Sequence, residues 1–76
     1  MTDQIPPGQS AVLKAFESRF GLDKVPSKKA IAMICVSTGY GIPTVVALMG
    51  KAALAGRLKH TSEYEVDSLI HYYQLA

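Results

Sequence analysis

The basic side chains of this chain are concentrated in one stretch without any acidic residue, between Asp23 and Glu63. The six acids lie at or beyond the two ends of that stretch, so the formal net charge of +2 understates the local charge. A stretch of one sign produces a positive potential that attracts polyanions. The expected partners are nucleic acid or an anionic membrane surface. The residues that carry the charge are Lys24, Lys28, Lys29, Lys51, Arg57, Lys59 and His60.

Side chains that could catalyse a reaction are few and far apart. The two histidines, His60 and His71, lie far from the single cysteine, Cys35, and no spacing typical of a metal site occurs. No carboxylate pair and no pairing of a nucleophile with a base stands out. We therefore expect neither an enzyme nor a cofactor, metal or small-molecule substrate. A lone cysteine indicates a reducing compartment, and the N-terminus lacks a secretory signal, so we expect a cytoplasmic protein.

The positions of these residues depend on the elements that carry them, and the apolar periodicity favours helices. At 76 residues the chain is one small domain. We predict a short flexible leader at 1–8 and a single helical domain at 9–76. Its fold class is all-α, a compact four-helix domain without strands. The four helices lie near 9–20, 28–37, 43–55 and 62–75.

Apolar stripes and helix-ending residues define these helices. Gly21, Gly39 and Gly56 are placed to end the first three, and Ser62 with Glu65 has capping-box spacing for the fourth. Ser27 is expected to cap helix 2, which is apolar nearly all round and should be buried on more than one side. The inner stripes are Val12, Leu13, Phe16 and Phe20 in helix 1, Val45, Leu48, Met49 and Ala52 in helix 3, and Val66, Leu69, Ile70 and Tyr73 in helix 4.

Residues 30–50 place a glycine turn between the predicted helices 2 and 3. Gly39 stands at the turn, with the small Cys35 four residues before it, where the second helix must approach closely. Val45 and Leu48 follow Gly39 by six and nine residues and would lock helix 3 onto helix 2. Ile34 is an inward apolar position, and Thr44 precedes Val45. With these residues, helices 2 and 3 resemble a helix-turn-helix over residues 30–50, a motif in which a Thr-Val pair near the start of the second helix is common. The resemblance implies a small, repressor-like DNA-binding regulator of transcription.

In such a protein helix 3 is the recognition helix in the major groove, and helix 2 crosses the backbone. Lys28 and Lys29 would hold phosphate at the start of helix 2. The flanking phosphate contacts would come from Lys51, Arg57 and Lys59. One feature departs from the family pattern, because the groove-facing residues are mostly unable to bond a base edge. Those residues are Gly41, Ile42, Pro43, Val46, Ala47 and Gly50, which leaves Thr44 and Lys51 as hydrogen-bonding candidates.

Three other interpretations remain open at this point. A small inhibitor or adaptor would use the same apolar face (Ile42, Val46, Ala47 and Gly50) to bind a protein partner. A plain helical hairpin in an all-α core has the same spacing. The uncharged residues 30–50 are also long enough for a membrane span, but Ser37–Pro43 would lie at its centre and interrupt it, so a membrane is the least favoured interpretation. Because small domains are often stabilised by dimerisation, we expect a homodimer, with Tyr64 and Tyr72 exposed at its interface.

Overall fold

The structure is a computed structural model, and it describes residues 5–76. Three helices are followed by a β-hairpin, and a short strand between the first two helices completes a three-stranded antiparallel sheet in the order β1-β3-β2. Residues 1–4 of the predicted leader lie outside the described residues. The elements are α1 (Pro7–Phe20), β1 (Val25–Pro26), α2 (Ser27–Thr38), α3 (Ile42–Leu54), β2 (Leu58–Glu65) and β3 (Ser68–Leu75).

The prediction of an all-α fold is wrong, because the segment expected to form helix 4 forms most of the hairpin. The strands pair continuously from Leu58 with Leu75 to Glu65 with Ser68. The stripe of Val66, Leu69, Ile70 and Tyr73 has helical spacing, but these residues are β-branched, aromatic or leucine, which also suit a pleated sheet. Ser62 and Glu65 therefore do not form a capping box. They lie on one strand, paired with His71 and Ser68.

Adjacent tyrosines in β3 show how the sheet is covered on its two faces. Side chains alternate along a strand, yet Tyr72 and Tyr73 are both buried. Tyr73 belongs to the core between the sheet and the helices. Tyr72 points to the other face, where the Lys24 ammonium lies 4.9 Å from the centre of its ring. The expected exposure of Tyr72 at a dimer interface is therefore wrong.

The core confirms the inner stripes predicted for the first and third helices. Val12 and Phe16 of α1 are fully buried, and so are Val45, Met49 and Ala52 of α3. Leu13, Phe20 and Leu48 are partly buried against them. The sheet closes the core from one side with Val25, Leu58 and Tyr73, and α2 contributes Ala30 and Ile34.

Helix α2 is less buried than its apolar sequence predicts. Only Ala30 and Ile34 of this helix are fully buried, and Val36 is 74% exposed. The prediction of a helix buried on more than one side is therefore wrong. The predicted cap is also wrong, since the helix begins at Ser27 after Pro26 and no side chain caps it. The bounds of the first three helices otherwise agree with the predicted ones to within two residues.

Helices α2 and α3 together contain most of the uncharged stretch 30–50, which has the length of a membrane span. In the described residues no single helix is both long enough and apolar enough to cross a membrane. Helices α2 and α3 reach that length and composition only as a pair, and the chain bends by 111° between them.

The tip of the hairpin holds a strained residue. Val66 has φ of 56° in the two-residue loop between β2 and β3, and Gly is the usual residue at a positive φ in such loops. A β-branched residue with positive φ is a true outlier, because its Cβ crowds the backbone. The Val66 side chain is 99% exposed, so no contact within the domain compensates.

We therefore expect Val66→Gly to stabilise the fold. Relief of the strain, set against the extra flexibility of glycine, should increase the free energy of unfolding by about 1 kcal/mol. Thermal or urea unfolding followed by circular dichroism measures this. The matched control is Val36→Gly in α2, where the backbone is helical and glycine should destabilise. A loss of stability in Val66→Gly as large as in the control would contradict the assignment of strain.

Candidate nucleic-acid interface

The connection between α2 and α3 is a sharp turn of three residues. Gly39 ends α2 in the left-handed conformation, with φ of 77°, and its N–H donates to the Cys35 carbonyl. The Thr38 hydroxyl donates to the Ile34 carbonyl and accepts the N–H of Tyr40. The resulting bend of 111° lies in the range of a helix-turn-helix, in which a short turn often contains glycine.

Helix α3 has one buried side and one side that faces solvent. Beside its core stripe, Ile42 is 63% exposed and Val46 is 44% exposed. Thr44, Ala47 and Lys51 are also exposed on this helix. Gly50 is partly exposed, and a Cβ built on it would meet no atom within 4 Å. By helical spacing, Ile42 and Val46 form one flank of the exposed side, Thr44 and Lys51 form the other, and Ala47 and Gly50 lie between them. The first flank is apolar, and the second carries the hydrogen-bonding side chains.

The two lysines predicted to hold phosphate lie where a helix favours anions. Lys28 and Lys29 are exposed in the first turn of α2. Unpaired backbone N–H groups and the helix dipole attract negative charge there. A cleft beside this turn is lined by Lys28 and Ser27 and, from the neighbouring strand, by His71. His71 is a candidate contact that the sequence pattern does not indicate, because that pattern predicts a helix near 62–75 and places His71 on it, remote from Lys28.

The remaining basic residues are in different situations. Lys59 is exposed on β2. Arg57 is only partly exposed, and its Nη1 donates to Oε1 of the buried Gln9 at 3.0 Å. Part of the Arg57 guanidinium therefore holds α1 against the start of the hairpin. The phosphate contact predicted for Arg57 would therefore have to be made by the other N–H groups of its guanidinium.

Lys24 is engaged by the hairpin. Its ammonium forms an ion pair with the Glu63 carboxylate, and that hydrogen bond raises the pKa of Lys24 above its usual value. The same ammonium lies over the ring of Tyr72, and burial raises the pKa of the Tyr72 phenol. Lys24 thus fixes the connector before β1 to the sheet, and much of its charge is neutralised locally.

The outer half of the hairpin differs in charge from its base. Glu63, Glu65 and Asp67 are exposed at or near the tip, whereas Lys59 lies near the base. Tyr64 is 78% exposed, and it forms a cross-strand pair with Leu69. Its predicted exposure is confirmed, although on a strand. Because like charges repel, the acidic tip is unsuited to lie against phosphates.

One face of the hairpin brings both histidines together. The His60 ring stacks on Tyr73 at 4.7 Å and lies 5.6 Å from His71, and Ser62 Oγ is 2.7 Å from His71 Nδ1. These pairs follow from the register, in which His60 faces Tyr73 and Ser62 faces His71. No group of three metal-ligating side chains comes together in residues 5–76.

Comparison with known proteins does not add to this description. No family model matches the chain, and neither a curated protein nor a solved structure is significantly similar to it.

Proposed function

We propose that this protein is a small DNA-binding regulator with a winged form of the helix-turn-helix, in which the β2–β3 hairpin is the wing. The observation that carries the proposal is the arrangement of α3. This helix follows a sharp turn that bends the chain by 111°, and it buries one stripe while its opposite side is exposed. A recognition helix needs that arrangement to enter the major groove, about 12 Å wide.

Exposed lysines on α2, α3 and β2 support binding to the DNA backbone. Lys28 and Lys29 at the start of α2 are placed to contact phosphates, as that helix crosses the backbone. Lys51 is exposed on α3, and Lys59 is exposed at the base of the hairpin that follows this helix. In this proposal the acidic tip of the wing stays away from the phosphates, and most of the affinity comes from the lysines.

The face of α3 supports a limited form of sequence recognition. Ile42, Val46 and Ala47 can contact thymine methyl groups but cannot bond a base edge. Thr44 and Lys51, on the other flank of the exposed side, can do so. We therefore propose binding that depends mainly on phosphate contacts and DNA shape, with modest discrimination between sequences.

The test is a fluorescence-anisotropy titration of mixed-sequence duplex DNA over a series of salt concentrations. Affinity should fall steeply with salt, because neutralised phosphates release counterions. Replacing Lys28 and Lys29 together by alanine should weaken binding to all sequences alike. It should also reduce the slope of log K against log salt by about 2, or about 1 for each lost contact.

The control variant is Lys14→Ala, which removes one positive charge from the exposed side of α1. It should change the affinity and the salt slope much less than the double variant does per charge removed. Circular dichroism verifies that all three proteins are folded. If folded wild-type protein does not bind DNA at micromolar concentration in low salt, the proposal of a DNA-binding function is wrong.

A second candidate function is supported by the composition of the α3 face. Ile42 and Val46 expose apolar surface, and Ala47 and Gly50 would let a partner helix approach closely. A non-enzymatic inhibitor or adaptor would bind its protein partner with this face. The Val46→Glu variant, described in the Discussion, distinguishes this function from DNA binding.

A further inference from the structure

Strand β2 forms an open edge of the sheet. It lies outermost in the order β1-β3-β2, and each of its residues from Lys59 to Glu65 is exposed. The strand has eight residues without proline, glycine or an interruption of its register. The other edge, β1, is two residues long and contains Pro26. Short strands and proline protect an edge from pairing with another chain; β1 has both of these features and β2 has neither.

The backbone of β2 has hydrogen-bonding groups available along this edge. The two-residue loop closes on a hydrogen-bonded turn between Glu65 and Ser68. Bonding to the partner strand alternates along an antiparallel pair. It follows that the backbone groups of His60, Ser62 and Tyr64 are directed outward, away from β3. A second strand could form backbone hydrogen bonds with these three residues without disturbing the hairpin.

The charges of β2 favour a particular partner for this edge. The strand carries Lys59 at one end and Glu63 and Glu65 at the other, all on one face because side chains alternate. Antiparallel pairing with an identical strand places Lys59 of each copy near the acids of the other. Parallel pairing would instead align like charges, which destabilises a sheet.

One antiparallel register fits the contacts already present. Glu63 already forms an ion pair with Lys24, and this is the one ion pair among the described residues. A register with its two-fold axis at Ser62 places Lys59 opposite Glu65, and His60 opposite Tyr64. A register with its axis at Glu63 would place two carboxylates against each other.

We propose that β2 pairs antiparallel with β2 of a second copy of this chain, about a two-fold axis at Ser62. The two three-stranded sheets then form one continuous sheet. The interface is symmetric, as in most homodimers. This proposal concerns self-association alone and does not depend on DNA binding.

The first experiment is sedimentation equilibrium of the full chain and of two variants at Ser62. Ser62→Pro removes the outward N–H, and proline is tolerated on an edge strand where the N–H faces solvent. We expect a dimer for the wild type and a folded monomer for Ser62→Pro. The control, Ser62→Ala, loses the hydroxyl contact with His71 but keeps the N–H, so it should remain a dimer.

Charge variants test the pairing without changing the backbone. Lys59→Glu and Glu65→Lys should each weaken the dimer by at least about tenfold, since each places like charges opposite one another. The double variant, with both charges exchanged, should restore it. Circular dichroism verifies folding in each case.

Cysteine crosslinking tests the register. In a Cys35→Ala background, Ser62→Cys should form a disulfide-linked dimer on mild oxidation, because residues opposite each other have Cα atoms about 5.5 Å apart. Thr61→Cys should crosslink much less. A wild-type monomer from micromolar to millimolar concentration would overturn the proposal. So would a dimer that is unaffected by both Ser62→Pro and Lys59→Glu, or crosslinking through Thr61→Cys alone.

Discussion

Replacing Phe16 by alanine is expected to remove a large part of the protein's stability. Phe16 is fully buried and forms an edge-to-face pair with Phe20, with ring centres 5.1 Å apart. Loss of a buried phenylalanine side chain costs about 3–5 kcal/mol, because the cavity that remains is only partly filled. Domains of this kind have a total stability of about 5–15 kcal/mol. The midpoint of thermal unfolding should therefore fall by at least about 12 °C.

The control for Phe16→Ala is an apolar side chain that the core does not hold. Leu54, the last residue of α3, is 91% exposed. Leu54→Ala should change the free energy of unfolding by no more than about 0.5 kcal/mol. Calorimetry or urea unfolding of both variants measures the difference. Equal effects of the two substitutions would mean that Phe16 is not the centre of the core.

The second large effect is expected from Val46→Glu. Val46 lies on the exposed face of α3, so the substitution should leave the domain folded. If this face enters the major groove, the new carboxylate meets a phosphate-lined surface and loses water without gaining a partner. Such an uncompensated charge costs several kcal/mol, and the affinity for DNA should fall by at least about a hundredfold. The anisotropy titration described above measures the loss.

Two control variants show whether the loss of DNA binding comes from a charge at position 46. One changes this side chain without adding a charge, and the other adds the same charge at a different position. Val46→Thr has a similar shape without charge and should bind DNA almost normally. Leu22→Glu places the same charge on an exposed residue between α1 and β1, and should weaken binding much less.

The same variant distinguishes the two candidate functions. Unchanged DNA binding by folded Val46→Glu, together with loss of a protein complex, would favour the interaction module. Unfolding of Val46→Glu would contradict both functions, because it would mean that α3 has no free face.

The three helices could be predicted because their signals are local. Val12 and Phe16, or Val45 and Met49, are four residues apart, and a glycine follows each helix closely. The hairpin could not be identified in this way. Val66, Leu69, Ile70 and Tyr73 satisfy helical spacing as well as they suit a strand. What decides between the two is pairing with residues remote in sequence, such as Val25 with Tyr73.

The candidate interface was predictable to a similar extent. The outward face of α3 followed from the buried stripe on its other side. The engagement of Arg57 by Gln9, which lies 48 residues away in sequence, depends on tertiary contacts and left no local signal. The same is true of Lys24, whose partner Glu63 had been assigned to a helix.

The central position of β3 in the sheet has a consequence for how the domain is assembled. β3 is the last element in sequence, yet it pairs with both β1 and β2, and Gln74 donates to the Leu22 carbonyl 52 residues earlier. Contacts between distant residues form slowly, because the intervening chain must first be ordered. During synthesis α1, α2 and α3 are complete before β3 exists, so until then β1 has no strand to pair with. The newly made chain passes through a stage in which the core-facing side of the helices lacks the cover of Tyr73, a stage at which aggregation competes with folding.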